Sequence, residues 1–385
     1  MKKLSLGILL FAFCLGLQAQ VRTTLNIPSR IQWPNNDGYC GENSIQMCGL
    51  YYGNYISEGL CRRVAGGELL INVNDTIALE AFSFTYKEWN PNASSPQYST
   101  YLDWVKQYLY KKQPVIITVY VSGLNDPDYD HIIPAIGFDA TGVNTYAATD
   151  SLTYNSNFDT APFTRVFSTL YGTRSVANNS APFPYYIPKN VDYGVAVTGN
   201  KDPMHMCKPV HMVLDSNDEP NVSLGVPACT LKAIITADSL TPGSPYALLR
   251  FNNYLTVPST GFSPAGADAV VYFTATATTH TVSDSFMSDT AVFYRCISYA
   301  LTGMDEIKAN NQLSIYPNPA NEMIHIALQT QNEMQNTGLQ ITDVLGNECI
   351  QSTLQQGRAV IDVSSLQPGL YFIKTRQGTQ KFIKQ

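Results

Sequence analysis

Four residues that together could run thiol-based acyl transfer occur in order in the first half of this 385-residue chain: Gln32, Cys40, His131 and Asp150. A thiol nucleophile needs a base to take its proton, a group that orients the base, and a donor for the developing oxyanion. Cys40 lies in Asp37-Gly38-Tyr39-Cys40-Gly41-Glu42-Asn43-Ser44, just after the structure-breaking run of Asn35, Asn36, Asp37 and Gly38. From Ile45 the apolar residues Met47, Cys48, Leu50, Tyr51 and Tyr52 recur at helical spacing, and Gly53 ends the run. The pattern predicts a helix of roughly three turns with Cys40 in its first turn. Outward N–H groups and the positive end of the helix dipole favour a thiolate there, and such placement can lower a thiol from ~8.5 to roughly 3.5–7.5. His131 is the only histidine between residues 20 and 190. It closes the acidic run Asp126-Pro127-Asp128-Tyr129-Asp130 and opens a predicted strand, 132–138, so it can face a cleft as the base. Asp150 follows a second predicted strand, 146–149, beyond a turn around Gly142, and antiparallel pairing would bring it alongside His131 to hold the imidazole tautomer. Gln32 can offer an amide N–H to an oxyanion. Any one of these residues alone is more often structural, and the ordered set is the signal.

The elements that must carry these residues read as helices first and strands later. A short helix is expected near 57–64, a third over 76–89, and a fourth over 100–112 with Leu102, Val105 and Leu109 on one stripe. Pro114 stops that helix, and Val115-Ile116-Ile117-Thr118-Val119-Tyr120-Val121 reads as a buried strand. This order argues for an α+β domain over residues 20–189. Pro134 inside the histidine strand removes a ladder N–H and demands a bulge or an edge. From 190 to 302 the chain turns to short strands (247–251, 270–276 and 291–297 among them), the pattern of an all-β sandwich. A polar linker, 303–312, leads to a third β-rich unit over 313–385, with strands near 313–316, 324–328, 339–342 and 371–375.

Composition narrows the function classes. Only 14% of residues are charged, against ~25% in an average soluble domain, while Tyr (24) and Gly (25) are plentiful. That mix suits a polar, β-rich extracellular surface. The net charge is -6 and no basic patch occurs, which argues against nucleic acid as a partner. Lys2 and Lys3 followed by the apolar stretch 4–17 and Leu17-Gln18-Ala19 read as a signal peptide over 1–19, with a mature start at Gln20. A lipoprotein cut at Cys14 is disfavoured by bulky Phe13 before it. No later segment is apolar enough to cross a membrane. The mature chain keeps Cys40, Cys48, Cys61, Cys207, Cys229, Cys296 and Cys349, an odd set that leaves at least one free thiol. Cys48 with Cys61, and any two of Cys207, Cys229 and Cys296, could be bridged.

Around the four residues the chain resembles the papain-like cysteine peptidases, specifically the bacteriocin-leader-processing (double-glycine peptidase-like) branch. The resemblance covers roughly residues 28 to 152. It rests on Gln32, on Tyr39-Cys40-Gly41 opening a helix that ends Tyr51-Tyr52-Gly53, and on Gln113-Pro114-Val115-Ile116. It continues through His131 with Ala135-Ile136-Gly137-Phe138-Asp139, and Asp150. It implies Cys40 as nucleophile, His131 as base, Asp150 as orienter and Gln32 as oxyanion donor, acting on a peptide or protein substrate without a cofactor or metal. The last unit resembles the C-terminal sorting domain of type IX secretion. Its carriers are Ile315-Tyr316-Pro317-Asn318-Pro319-Ala320, Ile341-Thr342-Asp343-Val344-Leu345-Gly346, the run from Asp362-Val363 through Leu366-Gln367-Pro368-Gly369-Leu370-Tyr371 to Lys374, and Lys384. That resemblance implies a small immunoglobulin-like β-sandwich, export through periplasm and outer membrane by the type IX machinery, and release or surface attachment.

The middle unit gives no catalytic signal. Met204-His205-Met206-Cys207 with His211-Met212 has soft ligand types at close spacing, but the alternation of Val210, Met212 and Leu214 fits a core strand, and no metal is expected. The expected protein is thus an exported cysteine peptidase with a Cys40-His131-Asp150 triad. The competing expectation is a non-catalytic surface adhesin or binding protein on a peptidase-like scaffold.

Overall fold

A computed structural model describes residues 20–34, 38–121, 131–172, 185–191, 193–299, 313–328, 337–344, 346–375 and 378–385. The acidic run 126–130, the linker 303–312 and the expected signal peptide lie outside them.

In chain order the first unit contains β1 (Val21–Thr24), α1 (Cys40–Tyr51), β2 (Asn54–Ile56), α2 (Glu58–Ala65), α3 (Asp75–Ala81) and β3 (Phe84–Glu88). Next come α4 (Tyr98–Tyr110), β4 (Val115–Val119), β5 (His131–Ala140), β6 (Ser151–Tyr154), β7 (Phe163–Val166) and α5 (Phe167–Leu170). Then follow β8 (Gly194–Asn200), β9 (Cys207–Lys208), β10 (Val210–Leu214), β11 (Thr230–Ala237), β12 (Pro245–Phe251), β13 (Ala269–Thr274), β14 (His280–Met287) and β15 (Ala291–Ser298). Among the described residues these strands form three sheets. One runs β3-β8-β4-β5-β6-β7 with β1 also on β5, the second β10-β11-β14, and the third β13-β12-β15-β2 with β9 also on β15. The chain is mostly β-sheet with a few helices and several sandwiches, a coarser architecture than the papain-like α+β start expected for 20–189.

The expected boundary at 189/190 runs through shared sheets. β8, assigned from sequence to the accessory sandwich, is hydrogen-bonded between β3 and β4. β2, from the helical part, pairs with β15. Residues up to 300 are therefore one compact unit, and 301–385 a second.

The helix α1 is the hub of the first unit. Its residues feed three separate apolar clusters: Met47 the first, Ile45 and Cys48 the second, Leu50 the third. A helix enclosed on all sides has no solvent face, so its polar residues must find internal partners. They do. Glu42 pairs with Arg62 at 2.7 Å, Asn43 donates to Glu58 at 2.6 Å, and Gln46 accepts from Arg30 and donates to Glu219 at 3.2 Å. Gly41, directly after Cys40, admits no side chain, because a Cβ there would lie 2.6 Å from the Leu69 carbonyl. Ser57 caps α2 by accepting from Leu60 N, as its position ahead of that helix suggests.

Two local expectations are corrected. The helix expected over 76–89 ends at Ala81, Ser83 adopts φ 59, and Phe84–Glu88 is a strand. The strand expected over 146–149 is a turn, and the next strand starts at Ser151. The irregularity required by Pro134 falls on the β6 side of β5, between Ala135 and Gly137.

The second unit holds β16 (Leu313–Tyr316), β17 (Met323–Leu328), β18 (Thr337–Thr342), β19 (Glu348–Leu354), β20 (Arg358–Asp362), β21 (Gly369–Thr375) and β22 (Gly378–Lys384). They form a β16-β17-β20 sheet and a β19-β18-β21-β22 sheet around Ile324, Ile341, Ile373 and Phe382. Among the described residues no helix is long and apolar enough to cross a membrane. All seven described cysteines are free thiols, so neither of the possible pairings is formed.

Candidate functional site

Cys40 is the first residue of α1, and the backbone amides of Ile132 and Gly41 favour its thiolate, though less than burial opposes it. The start of α1 packs against the start of β5, where Ser44 Oγ is 3.2 Å from the Ile132 carbonyl. α1 and β5 are tied together by a third piece of chain. Asn157, left-handed at φ 65 and fully buried, lies with Nδ2 2.9 Å from the Cys40 carbonyl, 2.9 Å from the Ile132 carbonyl and 3.2 Å from Ser44 Oγ. Ser44 Oγ is itself 2.7 Å from the Cys40 carbonyl.

The His131 ring is 4% exposed and stacks on Phe158 at 4.6 Å and on Tyr185 at 5.7 Å. Its Nε2 is 2.8 Å from the Ser156 carbonyl. A carbonyl only accepts, so Nε2 carries the proton, and in the neutral ring the lone pair sits on Nδ1. Gln32 joins the same group through its backbone, which donates to the Asn157 carbonyl at 2.9 Å. Its Oε1 is buried without a hydrogen-bond partner among the described residues.

Asp150 is elsewhere. β5 and β6 are antiparallel with Asp139 opposite Ser151, so Asp150 is level with the far end of β5. Nine residues of strand at ~3.3 Å each separate that end from His131, roughly 30 Å. The Asp150 carboxylate instead pairs with buried Lys106 at 2.9 Å and accepts from Thr141 N at 3.0 Å and Ala147 N at 3.3 Å. Lys106 also donates to the carbonyls of Gly142 and Thr145. Asp150 thus organises the β5–β6 turn and does not orient His131. The chain level with His131 is the segment after β6, where Asn155, Ser156 and Asn157 stand. Sequence reasoning missed them, although the Asn-Ser-Asn run ending an alternating Ser-Leu-Thr-Tyr strand marks the place.

Burial dominates the electrostatics. Desolvation pushes the Cys40 thiol up to about 12, helped by Glu42 and Glu68 and opposed by the two amides. In this arrangement the sulfur is a neutral thiol, and the helix-start effect expected from sequence is outweighed. Among the described residues no cluster of His, Cys, Asp and Glu could hold a metal.

No curated protein matches the chain. Among solved structures, it aligns with native alpha-2-macroglobulin from Escherichia coli spanning domains MG0-NIE-MG1, at 9% identity over 71% of this chain and 86% of that one, with a TM-score of 0.17. It also aligns with dimeric latent PorU from Porphyromonas gingivalis, at 11% identity over 70% of this chain and 29% of that one, with a TM-score of 0.15. Neither score carries an argument about fold or activity. The family match is different in kind. Residues 314–385 match the secretion system C-terminal sorting domain and coincide with the second unit, β16 to β22. The C-terminal unit is a type IX sorting tail, and the protein is exported to the cell surface or the medium.

Proposed function

We propose that the exported protein is a thiol hydrolase of the cysteine-peptidase type, acting on peptide or related amide bonds with Cys40 as nucleophile and His131 as base. The observation that carries this reading is the Ser156 carbonyl on His131 Nε2, on a strand that Asn157 ties to the helix opening at Cys40. It gives the ring the tautomer a base needs, with the carbonyl in the role assigned from sequence to Asp150. In the reaction Nδ1 takes the Cys40 proton as sulfur bonds to the amide carbon. The imidazolium then protonates the departing nitrogen, and water cleaves the resulting thioester. Gln32, bonded through its backbone to Asn157, would donate its amide to the oxyanion.

A second reading, a non-catalytic surface binding protein, is favoured by the raised thiol of half-buried Cys40 and the 4% exposure of His131. A peptide epoxide probe separates the two. The hydrolase labels at Cys40, detected by peptide mass, while Cys40→Ala and His131→Ala variants do not label. Equal labelling of wild type and His131→Ala, or labelling no faster than that of an unstructured thiol, leaves the binding reading standing.

A further inference from the structure

A cleft of about 860 Å³ opens on the other side of the first unit, where the end of α1, the α4–β4 turn and the 200–211 segment meet β15. Its lining includes neither Cys40 nor His131. Four lysines line it, Lys111, Lys112, Lys201 and Lys208, together with Arg295. Asp202 and Asp238 are the opposing charges, so the cleft is locally cationic on a chain whose net charge is -6.

Arg295 is the unusual member. It is 1% exposed on β15, and its Nη1 donates to Asn54 Oδ1 and to the Tyr294 carbonyl, both at 2.7 Å. Those bonds fix the plane of the guanidinium. Its Nε and Nη2, the two parallel donors of one edge, have no hydrogen-bond partner among the described residues. Asp202 is close enough to be felt, but its Oδ2 accepts from Cys207 N and it forms no ion pair with Arg295 among the described residues. Burial lowers Arg295 to about 10, which leaves it charged at neutral pH and short of a counter-ion. A buried, oriented and half-unpaired guanidinium is costly unless something completes it.

We propose that this cleft is a binding site for a carboxylate-bearing ligand, which docks its carboxylate on the Nε–Nη2 edge of Arg295 as the side chains covering that edge shift, and its remaining length along the lysines. Two parallel N–H donors match the two oxygens of a planar carboxylate. Asp202 beside the fork favours a monoanion over a doubly charged phosphate group. The volume lies within the range that holds a small organic ligand or a few residues of an oligomer. Two sources fit an exported protein, an acidic saccharide and the free C-terminus of a peptide.

Isothermal titration of the mature full-length protein at low salt tests this with a tetragalacturonate and with a tetrapeptide, each beside its neutral form, the methyl ester or the C-terminal amide. We expect one acid to bind and its neutral form to fail, and which acid binds identifies the source. Arg295→Lys, which keeps the charge but loses the fork, should weaken binding about tenfold or more. The double variant Lys201→Ala/Lys208→Ala, at one exposed and one half-buried lysine, should weaken it and flatten its salt dependence; if Arg295→Lys does not fold, this variant decides. Failure of both acids to bind, equal binding of acid and neutral forms, or binding unchanged in the variants overturns the proposal.

Discussion

Asn157 closes the candidate site more than any residue with reactive chemistry does. Its side chain reaches the carbonyls of Cys40 and Ile132 and the hydroxyl of Ser44, and its backbone carbonyl accepts from Gln32 N. Replacing it by Ala leaves buried carbonyls short of donors and forces a Cβ residue without local hydrogen bonds into φ 65. Asn157→Ala should therefore cost about 2–4 kcal/mol in urea denaturation. Asn157→Gly should cost about 1 kcal/mol less, because glycine accepts that backbone freely. Equal losses would mean that the conformation carries no strain. A second prediction concerns Cys40. With its thiol raised to about 12 by burial, alkylation by iodoacetamide should climb steadily with pH through 9 and beyond. A rate plateau near neutrality would instead report a thiolate already formed in the free protein.

The β5–β6 hairpin is where sequence and structure part. The Cys40 helix was legible because Gly38 and Gly53 punctuate it; the strand expected over 115–121 was legible from the apolar run after Pro114, and its regular part ends at Val119. Asp150 was misread because an antiparallel hairpin puts the start of one strand beside the end of the other, so a residue just ahead of β6 meets Ala140 and not His131. The pairings of β3 with β8 and of β2 with β15 join residues more than a hundred positions apart, and no local pattern encodes them. A structural Asp150 behaves differently from a catalytic one. Asp150→Asn strips the buried Lys106 of one partner while Asp103 at 3.1 Å and two carbonyls remain. It should cost about 3 kcal/mol, the low end for halving a buried ion pair. The rate of Cys40 labelling in the folded protein should stay as in wild type. A large drop in labelling with stability unchanged would return Asp150 to the orienting role.

At the scale of the molecule, the first unit buries carboxyls. Burial raises the carboxyls of Glu42, Glu58, Asp75 and Glu219, each against opposing partners. A carboxyl raised on folding adds stability that is full below its unfolded value and is lost as pH rises through its folded value. For Asp75, raised from 3.8 to about 6 by desolvation and then by Glu88, the loss falls between those two values. Asp75→Asn should thus stabilise the protein by about 1–3 kcal/mol at pH 7.5 and by almost nothing at pH 4, read by thermal melts at both. The sorting tail gives the last test. Its two sheets close on a core of their own, and Ile341 is fully buried within it. A carboxylate placed there has no partner, and the cost of several kcal/mol matches the ~3–5 kcal/mol that a core of this size supplies. Ile341→Asp should unfold residues 314–385 while leaving the core of the first unit intact. If the export machinery reads a folded surface, the variant accumulates in the periplasm like a chain lacking 314–385, as cell fractionation and surface proteolysis would show. Normal surface delivery of Ile341→Asp beside retention of the deletion would mean that the machinery reads a linear stretch of the tail and that its sandwich serves another purpose.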